Sequence, residues 1–128
     1  MSESKDDSGN TTSLPRILVA EDETIVSMLI EDLLSDMGYE VVGPAARVPR
    51  ALSLAENESL DGAILDVNLA GEMSYPVADI LAARNVPFIF LTGYGAPGLP
   101  ETFRARPILD KPFSPDQLRA ALRTILGN

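Results

Sequence analysis

Short apolar runs separated by segments of helical spacing constrain this chain more than any other feature. Ile17-Leu18-Val19-Ala20, Ala63-Ile64-Leu65 and Phe88-Ile89-Phe90-Leu91 are continuous rather than alternating, and each is too brief for a buried helix. Such runs fit strands covered on both faces, as in a parallel sheet. Tyr39 to Val42 and Ile108-Leu109 supply two further strands. Between them, apolar residues recur at helical intervals. Val26, Leu29, Ile30, Leu33 and Met37 mark the first helix, ending at Gly38. Val48, Ala51, Leu52 and Ala55 mark the second, with Pro49 in its first turn, and Val77, Ile80 and Leu81 mark the third, with Pro76 near its start. Ser114-Pro115-Asp116-Gln117 opens the last helix with an N-cap serine, a proline at the first helical position and a capping-box glutamine. Its buried face is Leu118, Ala121, Leu122 and Ile125, and Gly127 follows its end.

Strands alternating with helices predict an α/β domain with helices on both faces of a parallel sheet. Five strands in a chain of this size suggest the flavodoxin-like, doubly wound, five-stranded order 2-1-3-4-5. The fourth helix is expected to be irregular or shortened. Gly93 to Pro107 contains Gly93, Gly95, Gly98, Pro97, Pro100 and Pro107, which leaves room for one turn around Glu101 to Arg104. Residues 1–13 are polar but for Met1 and read as a disordered tail, leaving 14–128 as one domain.

Composition removes whole classes of function. There is no histidine and no cysteine, so Ser-His and Cys-His catalysis, disulfides and thiolate metal sites are excluded. A net charge of −9 repels nucleic acid and anionic lipid. No apolar run approaches the roughly 20 residues that span a bilayer, and the acidic N-terminus is no signal peptide, so a cytoplasmic location is expected.

In a sheet of this type ligands bind beyond the carboxyl ends of the strands. The notable polar residues lie there: Glu21 and Asp22 after the first strand, Asp66 after the third, Thr92 after the fourth and Lys111 after the fifth. Taken singly, each has an ordinary reading as loop, cap or turn chemistry. Taken together, three carboxylates meeting in space call for a hard divalent cation, and Mg²⁺ suits carboxylate and carbonyl oxygens. An ionised aspartate is a competent nucleophile, and a lysine beside it suits a phosphoryl oxygen. The set points to transfer of a phosphoryl group onto Asp66.

The segments ILVAED, AILDVNL, FLTGYG and ILDKPF resemble those of response-regulator receiver domains, over Pro15 to about Leu126. The resemblance implies a two-component signalling protein with Asp66 as phosphoacceptor. It implies Mg²⁺ held by Asp66, by Asp22 directly, by Glu21 mainly through water and by the Asn68 backbone carbonyl. Thr92 becomes the switch hydroxyl, Lys111 the phosphoryl contact, and Lys111-Pro112 a candidate cis bond. More narrowly, PFIFLTGYG resembles the FATGUY subgroup of receivers, with Phe90, Thr92, Gly93 and Tyr94 in place and Leu91 where alanine is usual. Members of that subgroup have an irregular fourth-helix region.

Several positions depart from the family pattern. Ile108 stands where a strand-five aromatic usually reports phosphorylation, so Tyr94 is an alternative switch residue or simply a half-buried loop aromatic. Gly93 replaces a small alanine, Glu21 an aspartate, and Ala70 a frequent proline, the last with little expected consequence. The expected partner is a sensor histidine kinase or phosphotransfer protein, met by a monomer that carries no output domain. Three other readings remain: a receiver-like docking module that is never phosphorylated, an aspartyl-nucleophile phosphatase, and a flavodoxin binding FMN. Asp66-Val67-Asn68 lacks the second acid of the phosphatase motif, and Glu21-Asp22-Glu23 would repel the FMN phosphate.

Overall fold

The apolar runs assemble into one parallel sheet. In the computed structural model, which describes residues 14–93 and 99–127, its strands are β1 (Arg16–Ala20), β2 (Glu40–Ala45), β3 (Gly62–Asp66), β6 (Phe88–Thr92) and β7 (Ile108–Asp110). They lie in the order β2-β1-β3-β6-β7, all neighbours parallel. Counted among themselves the sheet strands have the expected order 2-1-3-4-5. The intervening labels β4 (Asn68–Leu69) and β5 (Glu72–Met73) belong to a small antiparallel hairpin that the sequence reading missed. Four α-helices are described: α1 (Thr24–Asp36), α2 (Val48–Asn57), α3 (Tyr75–Ala83) and α4 (Pro115–Leu126). Between β6 and β7 the described residues hold only a 3₁₀ turn, Glu101–Phe103, where a fourth helix would otherwise cross. The expected tail at 1–13 and Tyr94 lie outside the described residues.

Successive side chains of a strand point to opposite faces, so each continuous run feeds two cores. Leu18, Ala20, Ala63, Leu65, Phe88 and Phe90 pack against Val48, Ala51 and Ala55 of α2 and Val77, Ala78 and Leu81 of α3. Ile17, Val19, Ile64, Ile89 and Leu91 pack on the other side against Ile30, Leu33 and Leu34 of α1 and Leu118 and Leu122 of α4. All five residues of β3 and all five of β6 are buried, as interior strands of such a sheet must be.

Local chemistry accounts for the edges. In α4 the full capping box forms: Ser114 Oγ accepts from Gln117 N and Gln117 Oε1 accepts from Ser114 N, while Gly127 ends the helix in the left-handed conformation. β2 runs on to Ala45, past the expected end at Val42. Gly43 there has φ +103, and a Cβ would stand 3.0 Å from the Val19 carbonyl oxygen, so only glycine lets β2 hug β1 at that bulge. Gly43-Pro44 and Lys111-Pro112 are both cis, the second as the resemblance implied. In α1 the buried face is Ser27, Ile30, Leu33 and Leu34, turned away from Leu29, which is 41% exposed. Leu29 therefore belongs to the helix's outer flank, although it fits the helical spacing.

Ala70 is a second correction. Ala70 and Gly71 form the hairpin turn with φ 53 and 90, the paired positive values of a type I′ turn. Ala70 N also donates to Asp22 Oδ2 at 3.2 Å. A proline has φ near −65° and no N–H, so it could supply neither. The exchange of proline for alanine that looked neutral in the sequence is what permits this hairpin.

Candidate functional site

The carboxyl ends of β1, β3, β6 and β7 converge on an open cleft of about 850 Å³ lined in part by Asp22, Glu23, Asp66, Asn68, Thr92 and Lys111. Sheet register sets this convergence. Ala20 pairs with Leu65 and Asp66 with Leu91, so the residues just past β1, the last of β3 and the last of β6 emerge at one level. The Lys111 amide donates to the Thr92 carbonyl at 2.8 Å and so brings the fifth strand end to the same level.

Carboxylate oxygens of Glu21, Asp22 and Asp66 all lie within 4.8 Å of one another. Glu21 and Asp66 are buried and Asp22 is exposed. Lys111 Nζ reaches into the group, 2.6 Å from Asp66 Oδ2, 2.7 Å from Glu23 Oε1 and 2.8 Å from Glu21 Oε1. The approach to Glu21 Oε1 lacks hydrogen-bond geometry, and that buried oxygen accepts no hydrogen bond among the described groups. The other oxygen, Oε2, accepts from Glu23 N at 2.8 Å.

The electrostatics follow from this crowding. Burial pushes the Glu21 carboxyl up to about 7, against the lowering pull of Lys111 and of the Glu23 amide, and the neighbouring Asp66 charge adds to the rise. Burial alone would lower the Lys111 ammonium, but its close pairing with the carboxylates of Asp66, Glu21 and Glu23 outweighs this and raises it above the ordinary lysine value. Lys111 is therefore a fixed cation and Glu21 the strained anion of the group. A buried acceptor without a donor, inside three convergent carboxylates, fits a hard divalent cation.

The backbone around Asp66 is held from two sides. Ser74 Oγ, fully buried, donates to the Asp66 carbonyl at 2.5 Å, and Ser74 N donates to the Val67 carbonyl at 2.9 Å. Asn68 N donates to Asp66 Oδ1 at 3.2 Å, while Asn68 Oδ1 accepts from Gly71 N and closes the hairpin. Thr92 is buried at the end of β6 beside the same cleft, and Gly93 is exposed. Ile108 is half-buried and pairs in register with Phe90. Of the expected set, then, Glu21, Asp22, Asp66, Asn68, Thr92 and Lys111 come together, Ile108 lies deeper on the neighbouring core, and Tyr94 lies outside the described residues.

Three contributors escaped the sequence reading. Glu23 reads as a solvated loop acid, and only the fold shows it on Lys111. Ser74 reads as a turn residue. Aromatic packing beside the cleft comes from Tyr75 and Phe103, whose rings stack with centroids 6.0 Å apart and both meet Phe90 edge-on, at 6.4 and 5.5 Å. Phe103, a large apolar residue inside an otherwise irregular stretch, was the available signal.

The family model of the response regulator receiver domain matches residues 17–123. The chain belongs to that family. Receiver domains are signalling modules rather than conventional enzymes. Among curated relatives, the transcriptional regulatory protein PdtaR of Mycobacterium tuberculosis is 34% identical over 111 residues, which cover 84% of this chain and 54% of PdtaR. This receiver domain thus spans about half the length of that relative. The solution structure of SdrG from Sphingomonas melonis Fr1 is 44% identical with a TM-score of 0.80, covering 91% of this chain and 99% of SdrG. The receiver domain of the sensor histidine kinase PA1611 from Pseudomonas aeruginosa, whose active site cleft coordinates a magnesium ion, is 27% identical with a TM-score of 0.76. It covers 91% of this chain, and all of that receiver is matched. Among the described residues, no helix of this receiver is long and apolar enough to cross a membrane.

Proposed function

We infer that this receiver accepts a phosphoryl group on Asp66 and signals by docking to other proteins. The observation that carries the reading is Lys111 Nζ at 2.6 Å from Asp66 Oδ2 inside a ring of acids suited to a divalent cation. An Asp66 carboxylate oxygen attacks the phosphorus of an incoming donor, the phosphorus–donor bond breaks, and the donor leaves with the bonding electrons. Lys111 stabilises charge on the phosphoryl oxygens as they arrive. Glu21, Asp22, Asp66 and the Asn68 carbonyl would hold the metal, which when bound neutralises charge on the transferred group. The residues fit that ion, and the magnesium in the PA1611 receiver supports its identity.

A phosphoryl group would add roughly 1.5 to 2 negative charges in the cleft. Thr92 lies beside it and runs directly into Gly93, so a change at Thr92 would be passed on along the chain. The motif from Phe90 to Tyr94 supports membership of the FATGUY subgroup, and the 3₁₀ turn in place of a fourth helix agrees with it. Exposed apolar side chains on the outer flank of α1, Ile25, Met28 and Leu29, lie next to the acids and suit contact with a protein donor, a histidine kinase or phosphotransfer protein.

Incubation with acetyl phosphate and Mg²⁺, followed by intact-mass measurement, tests the reading. The expected result is the gain of one phosphoryl group, lost in Asp66→Asn and with chelator. A wild-type protein that gains nothing from either acetyl phosphate or a phosphorylated kinase would leave a docking module only.

A further inference from the structure

We propose that Glu23 is a positioning residue that holds Lys111 in the resting state and competes for it with the arriving phosphoryl group; this rests on the phosphoacceptor reading above. Lys111 hydrogen-bonds two carboxylates, Asp66 at 2.6 Å and Glu23 at 2.7 Å, and stands 2.8 Å from a third, Glu21, without hydrogen-bond geometry. An incoming phosphoryl oxygen competes with these carboxylates for the ammonium. Asp66 is the acceptor itself. Glu21 has no exposed side-chain surface and is tied through Oε2 to the Glu23 amide. Glu23, with 60% of its side chain exposed, is the one that can swing into water at little cost.

Local structure shows that the contact is no by-product of helix capping. Glu23 occupies the N-cap of α1, where a side chain ordinarily satisfies the first helical amides, yet it makes no cap hydrogen bond. Its carboxylate instead spans 88 positions of sequence to Lys111. Charge works in the same direction. With Glu21 and Asp66 already against the ammonium and Asp22 clustered with them, a fourth carboxylate at the mouth of the cleft opposes an approaching phosphoryl dianion. Glu23 therefore slows loading twice, by occupying a donor of Lys111 and by repelling the group that needs it.

The test is Glu23→Gln, nearly isosteric and without the charge. At saturating Mg²⁺, the rate of Asp66 phosphorylation by acetyl phosphate is expected to rise roughly three- to tenfold at low ionic strength, the size of one screened charge interaction. The gain is expected to shrink as salt is added. The variant should also bind beryllofluoride more tightly, read from amide chemical shifts without any turnover. An unchanged or slower rate, or a gain indifferent to salt, overturns the proposal. Wild type phosphorylated normally with an unresponsive variant removes the role of Glu23 alone. Both proteins inert to phosphorylation and to beryllofluoride removes the phosphoacceptor reading and this inference with it.

Discussion

At the scale of single residues, Glu21 is where the site stores its strain. Its carboxyl is pushed up to about 7 chiefly by burial, and one of its oxygens has no hydrogen-bond donor among the described residues. In the unfolded chain the same group titrates near the ordinary carboxylate value. Between those two values the folded protein binds a proton that the unfolded chain has lost, so stability falls as pH rises through this window and levels off above it. The metal-free protein should lose about 1–3 kcal/mol between pH 4.5 and pH 8 from this group. Urea unfolding across that range measures it, with Glu21→Gln as the control that flattens the slope. A wild-type slope of the opposite sign, unchanged in the variant, would show that Lys111 compensates Glu21 fully. The pairing itself could not be read from the sequence. Glu21, Asp66 and Lys111 were legible because they end strands, but Glu23 follows the acidic pair as one more loop acid, and its contact depends on the length of a side chain reaching across the fold.

At the scale of elements, the hairpin β4–β5 fixes the floor of the cleft. Its I′ turn places Ala70 N on Asp22 and Asn68 N on Asp66, so two of the three clustered acids take backbone hydrogen bonds from one small ribbon. Ala70→Pro removes the N–H and demands a negative φ where φ is 53. It should cost about 2–3 kcal/mol and weaken divalent-cation binding as Asp22 loses its tether. Ala70→Gly should be nearly neutral, because relief of left-handed strain of about 1 kcal/mol is offset by a similar loss of chain entropy. Chemical denaturation and cation titration of the two variants separate these outcomes, and a well-folded, tightly binding proline variant would refute the account. The five-residue strands β1, β3 and β6 were legible from their unbroken apolar runs, and α4 from its capping box. Strands of two residues carry no period to read. In α1, apolar residues surround much of the helix, with Ile25 and Met28 on the outside and Ser27 inside, so spacing alone placed Leu29 too deep.

At the scale of the whole molecule, a charge of −9 is borne by 19 acids against 10 bases, and four of those acids crowd one end of the sheet, three of them on a single lysine. Folding brings Asp66 onto the Glu21-Asp22 pair, so the metal-free fold carries a repulsion that the unfolded chain escapes by separating Asp66 from them. A divalent cation that binds only where the three acids converge must then stabilise the entire domain by mass action. At a concentration 100 times its dissociation constant the gain is about 2.7 kcal/mol. For a domain of this size that should raise Tm by roughly 8–14 °C. The rise should grow with the logarithm of Mg²⁺ concentration, persist in a high background of NaCl, and disappear in Asp22→Asn. Salt screening alone predicts the reverse: NaCl would reproduce the gain and Asp22→Asn would retain most of it. Thermal unfolding of both proteins in matched ionic strength therefore decides whether the converging acids form a site or only an acidic surface.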